Sequence, residues 1–570
     1  MTEIADRLIR RYDALKANRG QWESHWQEIS EVISPRKSQF LGRATPGDKR
    51  MARVYDSTGI QANELLAAGL HGMATNPVSR WFALRMMDPA LNEAAPVKQW
   101  LGDVERIMFA AMHAAESSIT THLHELYLDL GAYGTGILFV GKGADGLPRF
   151  QARELSECLI DENADGQVDT VYRKFRFTVR QVMQRWADTA PERVRKAFSD
   201  GRLDEEIEIV HAVEPRADRD PEKATREHMP FASWYLTGED RQVLQEGGFE
   251  EFPYAVPRWY KTTGSVYGRS PGMTALPDVK MLQEMAKTTI KAAQKVVDPP
   301  LKLTDDGVIG PVRMIPGGLN FIRPNADIAP ILTGGNIPLS LEMQEQVRNA
   351  IRTAFFVDVI QFFQSNPSMS ATEVVHRTRE RMRMMGPVIG RLEAELLGPL
   401  IARVYGILSR SGRLPKPPAE VVGASYKVDF VSPVAQAQRA GEVEQLVGFL
   451  DVVAPIAREH PEAGARVNWS AIPGWVADRQ RIDPDLVNGA DEAAAVLEQG
   501  KAREMLAAAP ALAGAAKDAA VAGKVASGIE LPPGLAAGIG AALDAPAQAP
   551  SSLDAAPEEP GLPATGEAGR

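Results

Sequence analysis

Two helical repeats, separated by forty residues that cannot be helix, constrain this chain more than any other feature of its 570 residues. Residues 273–297 carry Leu282, Ala286, Ile290, Ala293 and Val297 three or four apart, the spacing that gathers apolar side chains on one helix face. Residues 339–362 repeat the pattern with Met343, Val347, Ile351, Phe355 and Val359. Asp298-Pro299-Pro300 stops the first helix, because proline has no N–H for the ladder and collides with the turn before it. Between the helices, Gly307, Gly310-Pro311, Pro316-Gly317-Gly318 and Gly334-Gly335 leave room only for short strands. The second helix runs into Gln364-Ser365-Asn366-Pro367-Ser368, a short polar loop, and a further helical pattern follows from about 370 to 410. Gly386-Pro387 and Gly398-Pro399 interrupt that pattern, which reads as one kinked helix.

The chain before this arrangement reads as helices followed by hairpins. Leu8, Tyr12, Leu15, Trp22, Trp26, Ile29 and Ile33 form an apolar stripe that ends at Ser34-Pro35. Two tryptophans one turn apart on such a stripe read as core. Residues 56–74 and 95–131 read as helical, and Trp81-Phe82-Ala83-Leu84 as a short strand. From 135 to 180 the period drops to near two, in Ile137-Leu138-Phe139-Val140 and again from Val171 to Phe177. Hairpins in place of repeated strand–helix–strand units give an α+β class, mainly helical. No aromatic residue follows Trp475, and residues 501–570 hold 23 alanines, with prolines at 546, 550, 557, 560 and 563. That tail is expected to be partly disordered, with helix only over about 490–527. A single cysteine, Cys158, excludes an intrachain disulfide and a cysteine zinc cage. The first residues show no signal-peptide pattern, and no run of ~18 uncharged apolar residues predicts a membrane span.

Four motifs point toward chemistry and fall short of it. Gly268-Arg269-Ser270-Pro271-Gly272 matches the nucleophile elbow of serine hydrolases, but Lys261-Thr262-Thr263-Gly264-Ser265 before it is no buried strand. Pro271 also stands where an oxyanion hole needs a backbone N–H. Gly136 to Lys142 fits the spacing of a phosphate-binding loop, yet Gly143 replaces the serine or threonine and the interior is strand-like. Asp161, Asn163, Asp165 and Gly166 open like a calcium loop, but the twelfth position is Tyr172, so an Asx-rich hairpin turn is expected. His122 and His124, two apart on a helix, face different ways.

What remains is architectural: helix, small β insertion, helix, polar loop, kinked helix. That order, with these residues, resembles the portal proteins of tailed bacteriophages, and more narrowly the head-to-tail connector family of short-tailed phages. The likeness rests on Trp22 and Trp26 leading to Ser34-Pro35, and on Asp56-Ser57-Thr58-Gly59 through Leu66-Ala67-Ala68-Gly69-Leu70 to Asn76-Pro77 and Trp81-Phe82. Further along it rests on Asp129-Leu130-Gly131-Ala132-Tyr133-Gly134-Thr135-Gly136, on Tyr267-Gly268-Arg269-Ser270 and on Ser370-Ala371-Thr372-Glu373-Val374. It runs over about residues 1–420.

The resemblance implies a portal fold: a wing over 1–264, a first stem helix over 265–298 and a clip over 299–338. A second stem helix would cover 339–363, a tunnel loop 364–371 and a kinked channel helix 372–414. A crown and wing return would follow over 415–489, and the tail over 490–570. It implies a ring of identical chains, a dodecamer, at one capsid vertex of the virion, made in the bacterial cytoplasm, without catalysis, cofactor or metal. Double-stranded DNA would pass through the ring, and the terminase large subunit, the major capsid and scaffolding proteins and a tail adaptor would dock on it; no membrane is involved. Candidates for facing DNA are Gln364, Ser365, Asn366 and Ser368 in the loop, with Lys287, Lys291 and Lys295 on the first stem helix. Candidates for the ring interface are Leu282, Ile290, Val347, Ile351 and Phe355. The alternatives are a serine hydrolase using Ser270 and a soluble helical scaffolding protein, which would not need the β insertion.

Charge fits a conduit better than a DNA-coated surface. The whole chain has 64 basic and 74 acidic residues, a net charge of −10. The acidity sits in residues 151–260, with 23 acidic against 16 basic, and in 481–570, with 13 against 6. The first stem helix has four lysines against one glutamate over 279–297, and the kinked helix seven arginines against four glutamates over 372–410. A duplex that must slide needs mild positive charge without phosphate clamps.

Overall fold

Alternating side chains on one antiparallel sheet, and a helical stripe laid across it, organise the first half of the chain. The structure is a computed structural model. It describes residues 2–500 except 36–38, 43–46, 48, 53, 89, 224, 304–306, 314, 316–318, 325–326, 332–336, 363–384, 422, 424, 431–432, 481–492 and 494–495. The chain divides into units 1–487 and 488–570.

Helix α1 (Thr2–Val32) follows the predicted stripe. Its first half buries Leu8, Tyr12 and Leu15 on one face of a five-stranded sheet, against Leu159, Val210, Ala212 and Trp234. The strands are β4 (Cys158–Glu162), β5 (Val168–Thr178), β6 (Glu206–Pro215), β7 (Phe231–Thr237) and β8 (Val243–Phe249), paired antiparallel in that order. Successive residues point to opposite faces, so Ile207 and Ile209 meet the other side. There α5 (Val179–Trp186) and α6 (Glu192–Ser199) close a second small core with Val182, Trp186 and Val194. Thr178 starts α5 with a reciprocal cap, its hydroxyl accepting from Gln181 N–H while the Gln181 side chain accepts from Thr178 N–H.

The main core is helical. The second half of α1 enters it with Trp26, Ile29 and Ile33, beside α2 (Thr58–Ala74), α3 (Ala95–Met112) and α4 (Ile119–Tyr133). The helical pattern expected over 95–131 is thus two helices. They part where Ser118 takes φ +57° and Ser117 turns its hydroxyl back onto Ala111 O and Pro148 O. Strand β1 (Phe82–Met86) pairs antiparallel with β14 (Tyr426–Phe430), which ties the start of the chain to the segment after the kinked helix. Strands β2 (Leu138–Lys142), β3 (Pro148–Ala152) and β9 (Tyr254–Ala255) make a second small sheet. No helix of the described residues is long and apolar enough to cross a membrane.

The two-helix arrangement appears as α7 (Pro271–Val297) and α8 (Ile337–Ala354), with α9 (Val357–Phe362) following. The apolar spacing read over 339–362 therefore spans two helices. Phe356, at φ +57°, breaks the ladder while Phe355 and Val357 stay buried on either side. Between α7 and α8 lie two nested antiparallel pairs, β10 (Leu301–Leu303) with β13 (Ile328–Pro330) and, between them in sequence, β11 (Val308–Ile309) with β12 (Phe321–Ile322).

Of the kinked helix the structure describes 385–410, as α10 over 385–392, a π turn over Glu393–Leu397 and α11 (Gly398–Arg410). Pro399 explains the π turn: in a continuous α-helix its ring would meet the carbonyl four residues back. The wider turn moves that carbonyl away, and Gly398 N–H bonds to Glu393 O instead. After β14 come α12 (Pro433–Glu459), α13 (Pro461–Gly464) and α14 (Ile472–Gln480). The tail beyond 500 lies outside the described residues.

Candidate functional site: the paired helices and their bracket

Ser270 opens α7 as its N-cap, and that is its structural role. Its hydroxyl accepts from Met273 N–H at 2.8 Å and donates to Ala132 O at 2.7 Å, with the residue 2% exposed. The glycines around it permit a crossing of two backbones. Gly134 sits at φ +80°, and a Cβ there would stand 2.5 Å from Gly268 O; a Cβ on Gly268 would stand 2.2 Å from Gly134 O. The elbow-like spelling thus records close packing of the α4 C-terminus on the α7 N-terminus.

The two paired helices are pinned to each other and to the segment before α2. Thr289 Oγ1 lies 2.8 Å from Ser340 Oγ and accepts from Gln344 Nε2 at 2.8 Å. One turn and a half earlier on α7, Gln283 Oε1 accepts from Tyr55 N–H at 2.7 Å and from Asp56 N–H at 3.0 Å, and its amide donates to Asp56 O at 2.7 Å. Asp56 then receives Arg348 of α8 at 3.0 Å and caps Thr58 N–H at 2.8 Å. Asp56-Ser57-Thr58-Gly59 is therefore a bracket across both helices. Burial alone would raise the Asp56 pKa, but the Thr58 hydrogen bonds and the Arg348 charge outweigh it and hold the carboxyl below its usual value.

A buried arginine joins the start of α7 to the kinked helix. Arg258 is 1% exposed. Its guanidinium reaches Glu395 in the π turn through Nε (3.1 Å) and Nη2 (2.8 Å), and its backbone N–H donates to the same carboxylate at 2.9 Å. It also meets Glu162 at 2.7 Å, Gly166 O at 2.8 Å and Val266 O at 3.2 Å. Lys261 shares Glu162, and Arg391 shares Glu395. Burial disfavours the charged guanidinium, yet the bonds to Glu395 and Glu162 raise its pKa overall. The calcium-loop look-alike is the β4–β5 turn of this network: Asn163 Oδ1 accepts from Asp165 N–H and Gln167 N–H, and Gly166 O serves Arg258 and Lys261. Among the described residues no cluster of His, Cys, Asp or Glu could hold a metal.

The residues singled out from the sequence fall into three groups. Gln364, Ser365, Asn366 and Ser368 lie outside the described residues. Lys287, Lys291 and Lys295 follow one stripe of α7; Lys287 pairs with Glu284 and lies over the Tyr55 ring, while Lys291 and Lys295 are exposed. Leu282, Ile351 and Phe355 are buried inside the chain itself, Val347 is half-buried and Ile290 is half exposed. Ile290 is thus the member of that set with the most surface left for a neighbour. Sequence reading missed the bracket and the Arg258 network. Arg258 was visible as a lone charge inside the apolar run Tyr254-Ala255-Val256-Pro257-Arg258-Trp259. Such a charge signals a buried pair but does not identify its partner.

Beyond Ala286 α7 has no buried residue, and the segment after it exposes Ile309, Leu319, Phe321 and Ile322. A single chain thus leaves its paired helices half covered. A family model described as bacteriophage head to tail connecting protein matches residues 5–487. A protein of Bordetella phage BPP-1 named probable portal protein is 34% identical over 514 residues, covering 88% of this chain and 92% of that one. The portal protein of Salmonella phage epsilon15 is 30% identical over 530 residues, covering 90% and 94%. Among solved structures, a chain from the virion of a native gene transfer agent particle covers 75% of this chain and 94% of its own, at 13% identity and a TM-score of 0.35. With a family match across nearly all of unit 1 and relatives at this identity over nearly their whole length, the chain belongs to the bacteriophage head to tail connecting proteins.

Proposed function

We infer that this protein is a phage portal: a ring of identical chains at one capsid vertex of the virion, a structural component and not an enzyme. The observation that carries the reading is the family match over 5–487, with relatives named portal proteins aligned along 92% and 94% of their length. The geometry supports it. A paired α7–α8 hairpin with exposed apolar side chains suits a helix pair that neighbours cover on both flanks. Ser270, buried as a helix cap with both hydrogen-bonding roles spent, does not favour the hydrolase.

Within this reading, double-stranded DNA passes through the ring during packaging and ejection, and the ring is a dodecamer. The β10–β13 and β11–β12 pairs form the clip that receives the terminase large subunit and later the tail adaptor. Residues 1–264 form the wing that meets the major capsid and scaffolding proteins. Residues 364–371 form the tunnel loop, small and polar enough to touch a sliding duplex without holding it. Deleting 364–370 tests the DNA path. Rings are expected to assemble, while the particles package or retain less DNA; normal packaging and retention would remove the loop from the path.

A further inference from the structure

The lysine stripe of α7 has a better-matched partner than DNA. Lys291 lies nine residues after buried Leu282, half a turn around the helix from it at ~100° per residue, so it points away from α8. Glu342 lies two residues before buried Gln344, ~160° from it on α8, so it points away from α7. The two charges thus stand on opposite outer faces of one hairpin. Among the described residues neither has an ionic partner within the chain. They also stand at nearly one height. Thr289 is bonded to both Ser340 and Gln344, which brackets Glu342 at its level, and Lys291 is two residues, ~3 Å, farther along. Half-exposed apolar side chains flank both charges: Ile290 next to Lys291 on α7, and Leu341 and Met343 on either side of Glu342 on α8. A phosphate backbone would have no use for that border, whereas a protein neighbour would.

We propose that the outer face of α7 in one copy seats on the outer face of α8 in the next, with Lys291 paired to Glu342 of the neighbouring copy. The inference rests on the ring reading above. Cyclic symmetry carries no axial translation, so residues level within a chain stay level between chains. A plus face meeting a minus face is a head-to-tail contact, and with no axial translation repetition of such a contact gives a ring where the rotation closes. A two-fold contact would set lysine against lysine. Lys291 is thereby spent on the wall of the ring and does not line the duplex path.

The test uses the full chain, in which Cys158 is buried and contributes no reactive thiol. A variant carrying both Lys291→Cys and Glu342→Cys is treated with a short bismaleimide. A denaturing gel should show a ladder from dimer upward, absent from either single variant. In parallel, Lys291→Glu should raise the concentration needed for half-assembly by about threefold per contact, and added Glu342→Lys should restore it. Rings that form without a ladder, or a Lys291→Glu defect that Glu342→Lys leaves uncorrected, would overturn the pairing and leave the ring reading intact. Cross-linked dimers from Lys291→Cys alone would show a two-fold face and overturn the polarity. A wild-type chain that forms no ring would instead defeat the reading on which the pairing rests.

Discussion

Replacing Glu395 by leucine attacks the junction between the β4–β5 turn of the five-stranded sheet, the start of α7 and the π turn. The carboxylate accepts three hydrogen bonds from Arg258, at 2.9, 3.1 and 2.8 Å, and one from Arg391 at 3.1 Å. Removing one partner of a buried ion pair costs about 3–5 kcal/mol, because the other charge stays in low dielectric uncompensated. Arg258 would keep Glu162 and two carbonyls, which places the expected loss at the lower end, about 3 kcal/mol. For a cooperative unit of ~150–250 residues that is a fall of about 6–12 °C in Tm. Urea unfolding followed by tryptophan fluorescence reads it directly, since Trp259 is buried next to Arg258. Arg258→Met combined with Glu395→Leu should cost less than the sum of the singles, with a coupling of at least ~1 kcal/mol. A Glu395→Leu loss below ~0.5 kcal/mol, or strict additivity in the double variant, would refute the claim that this pair carries the junction.

Four further outcomes are expected. Gly134→Ala should lose at least ~2 kcal/mol or fail to yield soluble chain, because the residue holds φ +80° with Gly268 O 2.5 Å from the new Cβ. Gly20→Ala, in α1 with nothing within 4 Å, should be neutral or stabilising by up to ~1 kcal/mol, and thermal melts of both variants check the contrast. Ser270→Ala should cost about 1 kcal/mol as a lost helix cap and leave any background hydrolysis of a chromogenic ester unchanged. Acid should weaken the fold through Asp56, Glu162 and Glu251. Burial alone would raise each pKa. The bonds and charges of Thr58 and Arg348, of Lys261 and Arg258, and of Arg410 and Arg403 reverse that and lower all three. Lowered folded values mean that their contribution is complete above the unfolded values of 3.8 and 4.5 and is lost as pH falls through the folded ones. Urea midpoints should therefore fall below about pH 5, and less steeply in Asp56→Asn.

The periodicities carried most of the fold. Leu8 to Ile33 and Leu282 to Val297 are long stripes of one spacing, and long periodic helices are the elements that pattern reading finds best. Breaks at Ser118 and Phe356 escaped it, because both adopt a left-handed conformation that ordinary residues rarely take and only tertiary contacts impose. Gly398-Pro399 announced a kink, while the π turn that accommodates it depends on where the displaced carbonyl can go. The family-like segment Asp56-Ser57-Thr58-Gly59 was legible as a motif, but its job as a bracket required Gln283 and Arg348, more than two hundred residues away in sequence. Burial of the apolar stripes within the single chain has a related cause. A stripe such as Leu282, Ile351 and Phe355 marks a face that must be buried, and the chain's own partner helix buries it first.

In the portal reading, identical copies of this chain cover one another's half-exposed paired helices around a pore. Cryo-electron microscopy of the purified full-length protein tests it most directly. Closed rings should appear, with α7 and α8 of successive copies side by side around a central channel. Monodisperse single chains or compact two-fold dimers under every assembly condition, with no annular particle, would contradict the account.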